Sequence, residues 1–167
     1  MKYFLFSLVV LSASAFNQAP SVTAAGGVSP VFLTDVASIE RRTFELINNT
    51  RRSSGLRELE WNTDLYRMAR SHSDSMARYN FFSHTDSRGL GMVKRARLTG
   101  LEGWRALGEN LAYNLGYSDP AAFAVDAWIE SQEHRHNMLR PMFTHTAIGV
   151  AYMPDGRIFF TEVFGSK

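Results

Sequence analysis

Three short stretches carry the side chains from which this sequence could build a reactive or ligand-binding site. Phe81-Phe82-Ser83-His84 sets one imidazole directly after two aromatics. Gly108-Glu109-Asn110 places a carboxylate between the apolar neighbours Leu107 and Leu111. Ser131-Gln132-Glu133-His134-Arg135-His136-Asn137-Met138-Leu139 holds two of the five histidines, two residues apart. Histidine changes charge near neutral pH and ligates metals as the neutral imidazole. A carboxylate among apolar residues needs a partner once buried, and an imidazole is the economical one. Such a carboxylate can orient a histidine or act as a base on bound water.

The same residues exclude several chemistries. The chain has no cysteine, which removes disulfides, Cys-ligated zinc and thiol nucleophiles. Glu133-His134-Arg135-His136 does not have the HExxH spacing of a metalloprotease helix. No G-x-S-x-G elbow occurs, so Ser83 and Ser131 sit beside histidines without the context of a serine nucleophile. A net charge of +2 over 167 residues, with 20% charged residues, does not make the basic field of a nucleic-acid reader. Hydrophobic residues at 45% are enough for one packed domain.

The flanking pattern predicts what must hold these stretches in place. Thr34 or Asp35 starts a helix in which Val36, Ile39, Thr43, Leu46 and Ile47 recur at helical spacing, and Gly55 ends it. Its arginines, Arg51 and Arg52 included, read as a solvated face. Leu56, Leu59 and Trp61 alternate as an extended piece, with Trp61 expected as a core anchor. Asn62 or Thr63 caps a second helix with the stripe Leu65, Met68, Ala69, His72, Met76 and Tyr79, where His72 reads as a core or boundary histidine. His84 then falls on a non-helical corner pinned by Phe81 and Phe82, which is where sites are usually built. Met92, Val93 and Ala96 suggest a short third helix. Gly108 lets the backbone pass close to a neighbour.

Pro120 opens a fourth, largely apolar helix that includes Trp128 and runs towards His134. Ile148, Val150 and Tyr152, the turn Pro154-Asp155-Gly156, and Ile158 to Phe164 make a terminal hairpin. Helices followed by a hairpin, with no internal repeat, indicate a mixed α/β or α+β layer architecture. His136 and His145 read as residues at the surface or behind the site.

Residues 1–15 read as a secretory signal. Lys2 is followed by the apolar run Tyr3 to Leu11 and by Ala13-Ser14-Ala15 as a cleavage site. The run is too short to span a bilayer comfortably, so no stable membrane anchor is expected after cleavage. Residues 16–33, uncharged and rich in Ala, Ser, Val, Gly and Pro, read as a flexible lead-in to a single domain over 34–167. The expected destination is extracellular or periplasmic.

Taken in order, the chain resembles the CAP superfamily, the SCP-domain proteins that include cysteine-rich secretory proteins, antigen 5 and plant pathogenesis-related 1 proteins. It is most similar to the bacterial branch that lacks cysteine. The matching pieces are Asn48 with Arg51 or Arg52, Gly55-Leu56, Leu59 to Trp61, Ala69, Met76, Phe82-Ser83-His84 and Gly89 in the first half. Gly108-Glu109-Asn110, Trp128 to Ser131, His134-Arg135 to Asn137-Met138-Leu139, Ile148-Gly149-Val150 and Phe164-Gly165 follow. They cover roughly residues 36–167, a typical domain length.

The resemblance implies an α+β fold, an α-β-α sandwich with a central antiparallel sheet flanked by helices. It also implies an open cavity that two His and two Glu line in many members. Carried over by position, these are His84, Glu109 and His134, with Ser131 where the second Glu would stand. His84 and His134 then offer a weak, solvent-accessible Zn²⁺ site, with no cofactor required. The expected function is a secreted binding module whose ligand is a lipid, peptide, glycan or metal, without a nucleic-acid partner. The alternative is a metal-assisted hydrolase acting on peptide or cell-wall material; the incomplete tetrad and the lack of a recognised nucleophile favour binding.

Overall fold

The computed structural model describes residues 35–167; the signal expected over 1–15 and the lead-in over 16–33 lie outside the described residues. In chain order the elements are α1 (Val36–Ser53), β1 (Glu60–Trp61), α2 (Thr63–Tyr79), α3 (Met92–Leu98), β2 (Ala106–Leu115), α4 (Pro120–Glu130), α5 (Gln132–Met138), β3 (His145–Tyr152) and β4 (Arg157–Ser166). Local chemistry sets most of the boundaries. Asn62 Oδ1 accepts from the backbone N–H of Asp64 and Leu65 and so starts α2. Asn80, at φ 51°, ends it in the left-handed region that Asn tolerates better than most residues. Asp119 caps α4, with Pro120 at its first position.

The four strands pair in the order β1-β3-β4-β2. β2 and β3 both run antiparallel to β4, and the two-residue β1 adds a parallel edge to β3. Side chains alternate across the strands. Leu111, Ala147, Phe159 and Val163 pack with Leu65, Met68, Ala69 and Met76 of α2. On the opposite face Ile148, Val150, Phe160 and Phe164 join Ile39 and Ile47 of α1, Trp128 of α4 and Met138 of α5. The result is α+β, an α-β-α sandwich whose sheet is antiparallel except for β1.

Gly149 lies on the α2 side. A Cβ there would collide with the Ala69–Arg70 backbone, so the glycine is what lets α2 lie directly on β3. Gly108 has the same purpose against Phe143, whose ring would come within 2.9 Å of a Cβ.

The structure changes several expectations. Trp61 is 38% exposed and packs edge-on against Phe44, 5.5 Å between centroids, rather than anchoring the core. β1 is a short edge strand, so its side chains reach only the margin of the sandwich. Tyr79 is 60% exposed because the last turn of α2 runs past the apolar cluster. Arg51, expected on a solvated face, is 1% exposed. Its guanidinium donates to the carbonyls of Arg57, Met138 and Phe143, at 2.9, 2.6 and 3.4 Å. It therefore ties the end of α5 to α1. Glu40 on α1 is also buried. Its Oε1 accepts from the Val150 N–H at 3.0 Å, beyond the point where β1 stops covering β3.

Candidate functional site

β2 is an edge strand, and its outward carbonyls are taken by helix side chains. Trp128 Nε1 donates to Leu111 O at 2.9 Å, and Asn137 Nδ2 to Glu109 O at 3.4 Å. These bonds block the open edge and bring α4 and α5 alongside Glu109.

The Glu109 side chain turns to the α2 face and is 2% exposed. Both carboxylate oxygens are engaged. His84 Nδ1 donates to Oε1 at 2.9 Å, and Arg95 Nη2 donates to Oε1 and Oε2 at 2.9 and 2.7 Å. Burial pushes this carboxyl up, but the His84 bond and the Arg95 charge outweigh it and hold Glu109 below the ordinary carboxylate range. Glu109 is thus an ionised, fully used acceptor.

A carboxylate only accepts, so the His84 hydrogen sits on Nδ1. Nε2 is left as the basic nitrogen on a side chain that is 59% exposed. The corner carrying His84 is held by several bonds. Arg95 Nη2 also donates to His84 O at 3.1 Å, and His72 Nε2 donates to Ser83 O at 2.9 Å. Asp86 accepts from the N–H of Arg88 and Leu90 and closes the following turn. His72, 1% exposed, is a brace behind this corner, and burial holds its imidazole below the ordinary value.

His134 lies on the first turn of α5, half-buried. Burial first, and then repulsion from the nearby His84 ring when both are protonated, keep its imidazole below the ordinary histidine pKa. Its placement comes from Ser131, where α4 stops and α5 begins. Ser131 Oγ accepts from the His134 N–H at 3.5 Å, and Asn110 Nδ2 donates to His134 O at 3.1 Å. The fourth helix therefore does not run on through His134 but breaks at this capping serine. Glu130 and Glu133 on either side are exposed and supply no carboxylate in its place. His136 is exposed; His145 is half-buried and contacts Thr144 and Trp104 away from this site.

Among the described residues no group of three or more His, Cys, Asp or Glu is arranged to hold a metal. With Glu109 occupied, His84 Nε2 and the His134 imidazole are the ligands on offer. Phe82, two residues before His84, is exposed and meets Tyr113 edge-on at 5.0 Å, and Tyr113 stacks on Phe159 at 5.9 Å.

Arg95 and Glu162 escape a reading of the sequence that looks for exposed polar motifs. Each nevertheless leaves a signal. Met92, Arg95 and Ala96 share one face of α3 by i, i+3, i+4 spacing, so Arg95 points inward with them. Glu162 alternates in phase with Phe160 and Phe164, which marks it as a buried acid. It faces Asn110 across the β2–β4 ladder, takes a bond from Thr146 at 3.2 Å, and burial raises its pKa well above the ordinary value.

The model of the CAP, or cysteine-rich secretory protein, family matches residues 44–164, and the chain belongs to that family. The uncharacterized membrane protein YlbC of Bacillus subtilis (strain 168) is 35% identical over 125 residues, which are 75% of this chain and 34% of that protein. The uncharacterized protein YkwD of the same strain is 31% identical over 152 residues, 89% of this chain and 56% of that one. This chain thus spans between a third and just over half of the length of those relatives. An extracellular SCP-domain protein from Bacillus anthracis str. Ames superposes with a TM-score of 0.70 at 26% identity, covering 86% of this chain and 45% of that chain. Among the described residues no helix is long and apolar enough to cross a membrane.

Proposed function

We propose that this CAP domain is a secreted binding module rather than a hydrolase. Its recognition site is formed by His84 and His134, with Glu109 behind them. One observation carries the choice: both oxygens of Glu109 are committed to Arg95 and His84. A general base must reach the proton it removes and have a pKa near the working pH. Glu109 is buried and is held below the ordinary carboxylate range. What it does instead is fix the His84 tautomer so that Nε2 faces outward, the arrangement a carboxylate imposes on a ligating histidine.

His84 Nε2 and His134 would hold a divalent cation such as Zn²⁺ weakly, with water completing the coordination. The same two nitrogens suit a polar ligand. Ser131, serving as a helix cap, adds no charge, so affinity should fall below that of a site with four protein ligands. Export follows from the N-terminal signal pattern, and N-terminal sequencing of exported protein should find the chain starting after Ala15.

Calorimetric titration with Zn²⁺ near neutral pH tests the site. Wild type should take up one weakly bound ion, and the His84→Ala/His134→Ala variant none. Uptake should fail in acid, where protonated imidazole cannot ligate. Equal uptake by both proteins would place the metal elsewhere. Chelator-sensitive turnover of peptide or cell-wall material by the wild type, lost in the variant, would make the domain a metal-assisted hydrolase and overturn the binding reading.

A further inference from the structure

α3 buries only one of its sides. Arg95 and Ala96 turn inward. At about 100° per residue, the opposite side presents Leu98, Lys94, Arg97 and Val93 in succession over an arc of about 140°. All four are exposed. Leu98 at 66% and Tyr79 at 60% are the two most exposed large apolar side chains among the described residues. Both line one cavity of about 790 Å³ between α2 and α3, together with the exposed Arg78. The outer side of α3 and the end of α2 therefore belong to one surface.

The free charges of that surface have one sign. Lys94, Arg97 and Arg78 have no ion-pair partner among the described residues. The acids that line the cavity, Asp74 and Asp86, are already paired with Arg70 and Arg88. Between Asp86 and Glu109 the sequence has five basic residues against one acid, Glu102, which follows Gly100 beyond the end of α3.

Single exposed apolar residues are ordinary on a protein surface. Here Leu98 and Val93 bracket two cations on one helix face, and Tyr79 and Arg78 continue the pattern across the cavity. A soluble polyanion would pair with the cations and leave the apolar side chains in water. An anionic lipid surface serves both. Its phosphates pair with Lys and Arg, whose long stems reach to the headgroups. Leucine, valine and the tyrosine ring enter the interface beneath them. We infer that the outer face of α3, with Arg78 and Tyr79 of α2, is a peripheral docking surface for an anionic phospholipid bilayer. It lies on the side of α3 away from the His84 corner and does not rest on the metal-binding reading. A cation held at such a surface strengthens binding about fivefold, so three give a preference of roughly a hundredfold over a neutral bilayer.

Vesicle co-sedimentation tests this with the chain beginning at Phe16, the form left by the expected cleavage and containing every described residue. The probes are vesicles of phosphatidylglycerol mixed with phosphatidylcholine, vesicles of phosphatidylcholine alone, and soluble polyphosphate. The mixed vesicles should bind at least about tenfold more tightly than the neutral ones, with weaker binding at high salt. Lys94→Gln/Arg97→Gln should weaken that binding at least about tenfold. The same change of charge elsewhere, Arg41→Gln/Arg57→Gln, should alter it less than about twofold. Leu98→Ser keeps every charge and should weaken mixed-vesicle binding about fivefold while leaving any polyphosphate binding unchanged. All these side chains are exposed, and unchanged melting temperatures would confirm that the variants fold. His84→Ala/His134→Ala should bind vesicles as wild type does, whether or not it takes up Zn²⁺. Equal binding to both kinds of vesicle, or binding to neither, would overturn the inference. So would mixed-vesicle binding that Lys94→Gln/Arg97→Gln leaves intact. Binding that Leu98→Ser leaves intact would make the face a polyanion site and overturn the lipid assignment.

Discussion

Arg95→Met tests whether the Arg95–Glu109 pair is what holds the site together. The methionine keeps most of the length and apolar bulk of the arginine stem. It removes the two bonds from Nη2 to Glu109 and the one to His84 O, leaving a 2%-exposed carboxylate with only His84 as partner. Breaking a buried ion pair from one side costs about 3–5 kcal/mol. Arg95 already carries two unpartnered buried nitrogens in the folded state, a cost that methionine removes. The expected loss therefore lies at the low end, about 3 kcal/mol.

The pH dependence should change sign as well. In the wild type the depressed Glu109 pKa contributes stability above the ordinary carboxylate range, and that stability is lost as pH falls through the folded value. Without Arg95 burial dominates and the carboxyl rises above its unfolded value, so the variant should recover stability relative to wild type as pH falls. Urea unfolding followed by tryptophan fluorescence, at several pH values, measures both effects. Arg95→Met/Glu109→Leu should regain most of the loss, because no buried charge is left alone. A single variant within about 1 kcal/mol of wild type, or a double variant no better than the single, would refute this reading.

Two further substitutions probe the frame around the site. Gly149→Ala pushes a methyl into the Ala69–Arg70 backbone, which cannot yield as a side chain tip does. The cost should reach or exceed about 3 kcal/mol, read as a fall in the urea midpoint; a midpoint unchanged within error would show that α2 does not lie directly on β3. Glu162→Gln should flatten the stability profile on the alkaline side. Burial raises the Glu162 pKa, so the native state keeps a proton that the unfolded chain has lost, and stability declines as pH rises through that interval. Melting temperatures from about pH 5 to pH 9 should converge at low pH and favour the variant at high pH; parallel curves would mean that Glu162 is ionised in the fold.

Element boundaries were legible where a local rule acts within a few residues: Asn62 capping α2, Pro120 opening α4, and the turn at Pro154-Asp155-Gly156 joining β3 to β4. Alternation in β3 and β4 and the helical stripe of α2 marked the buried faces, because 2.0 and 3.6 residue periods follow from the backbone alone. The exceptions came from side chains whose partners lie far along the chain. Arg51 looked solvated until α5 and its following loop delivered the Met138 and Phe143 carbonyls to it. Trp61 looked buried until β1 proved too short to carry it inward. Ser131 looked like a gap in a set of ligands, and packing made it the hinge between α4 and α5 that sets where His134 points. The sequence by itself singled out His84, Glu109 and His134 as candidates, and its two-residue alternation with Leu107 and Leu111 turned Glu109 inward. Only the tertiary structure decided that Arg95, from a different helix, would use the Glu109 carboxylate, because ion pairing inside a protein depends on which charges share a buried space and not on their separation in the chain.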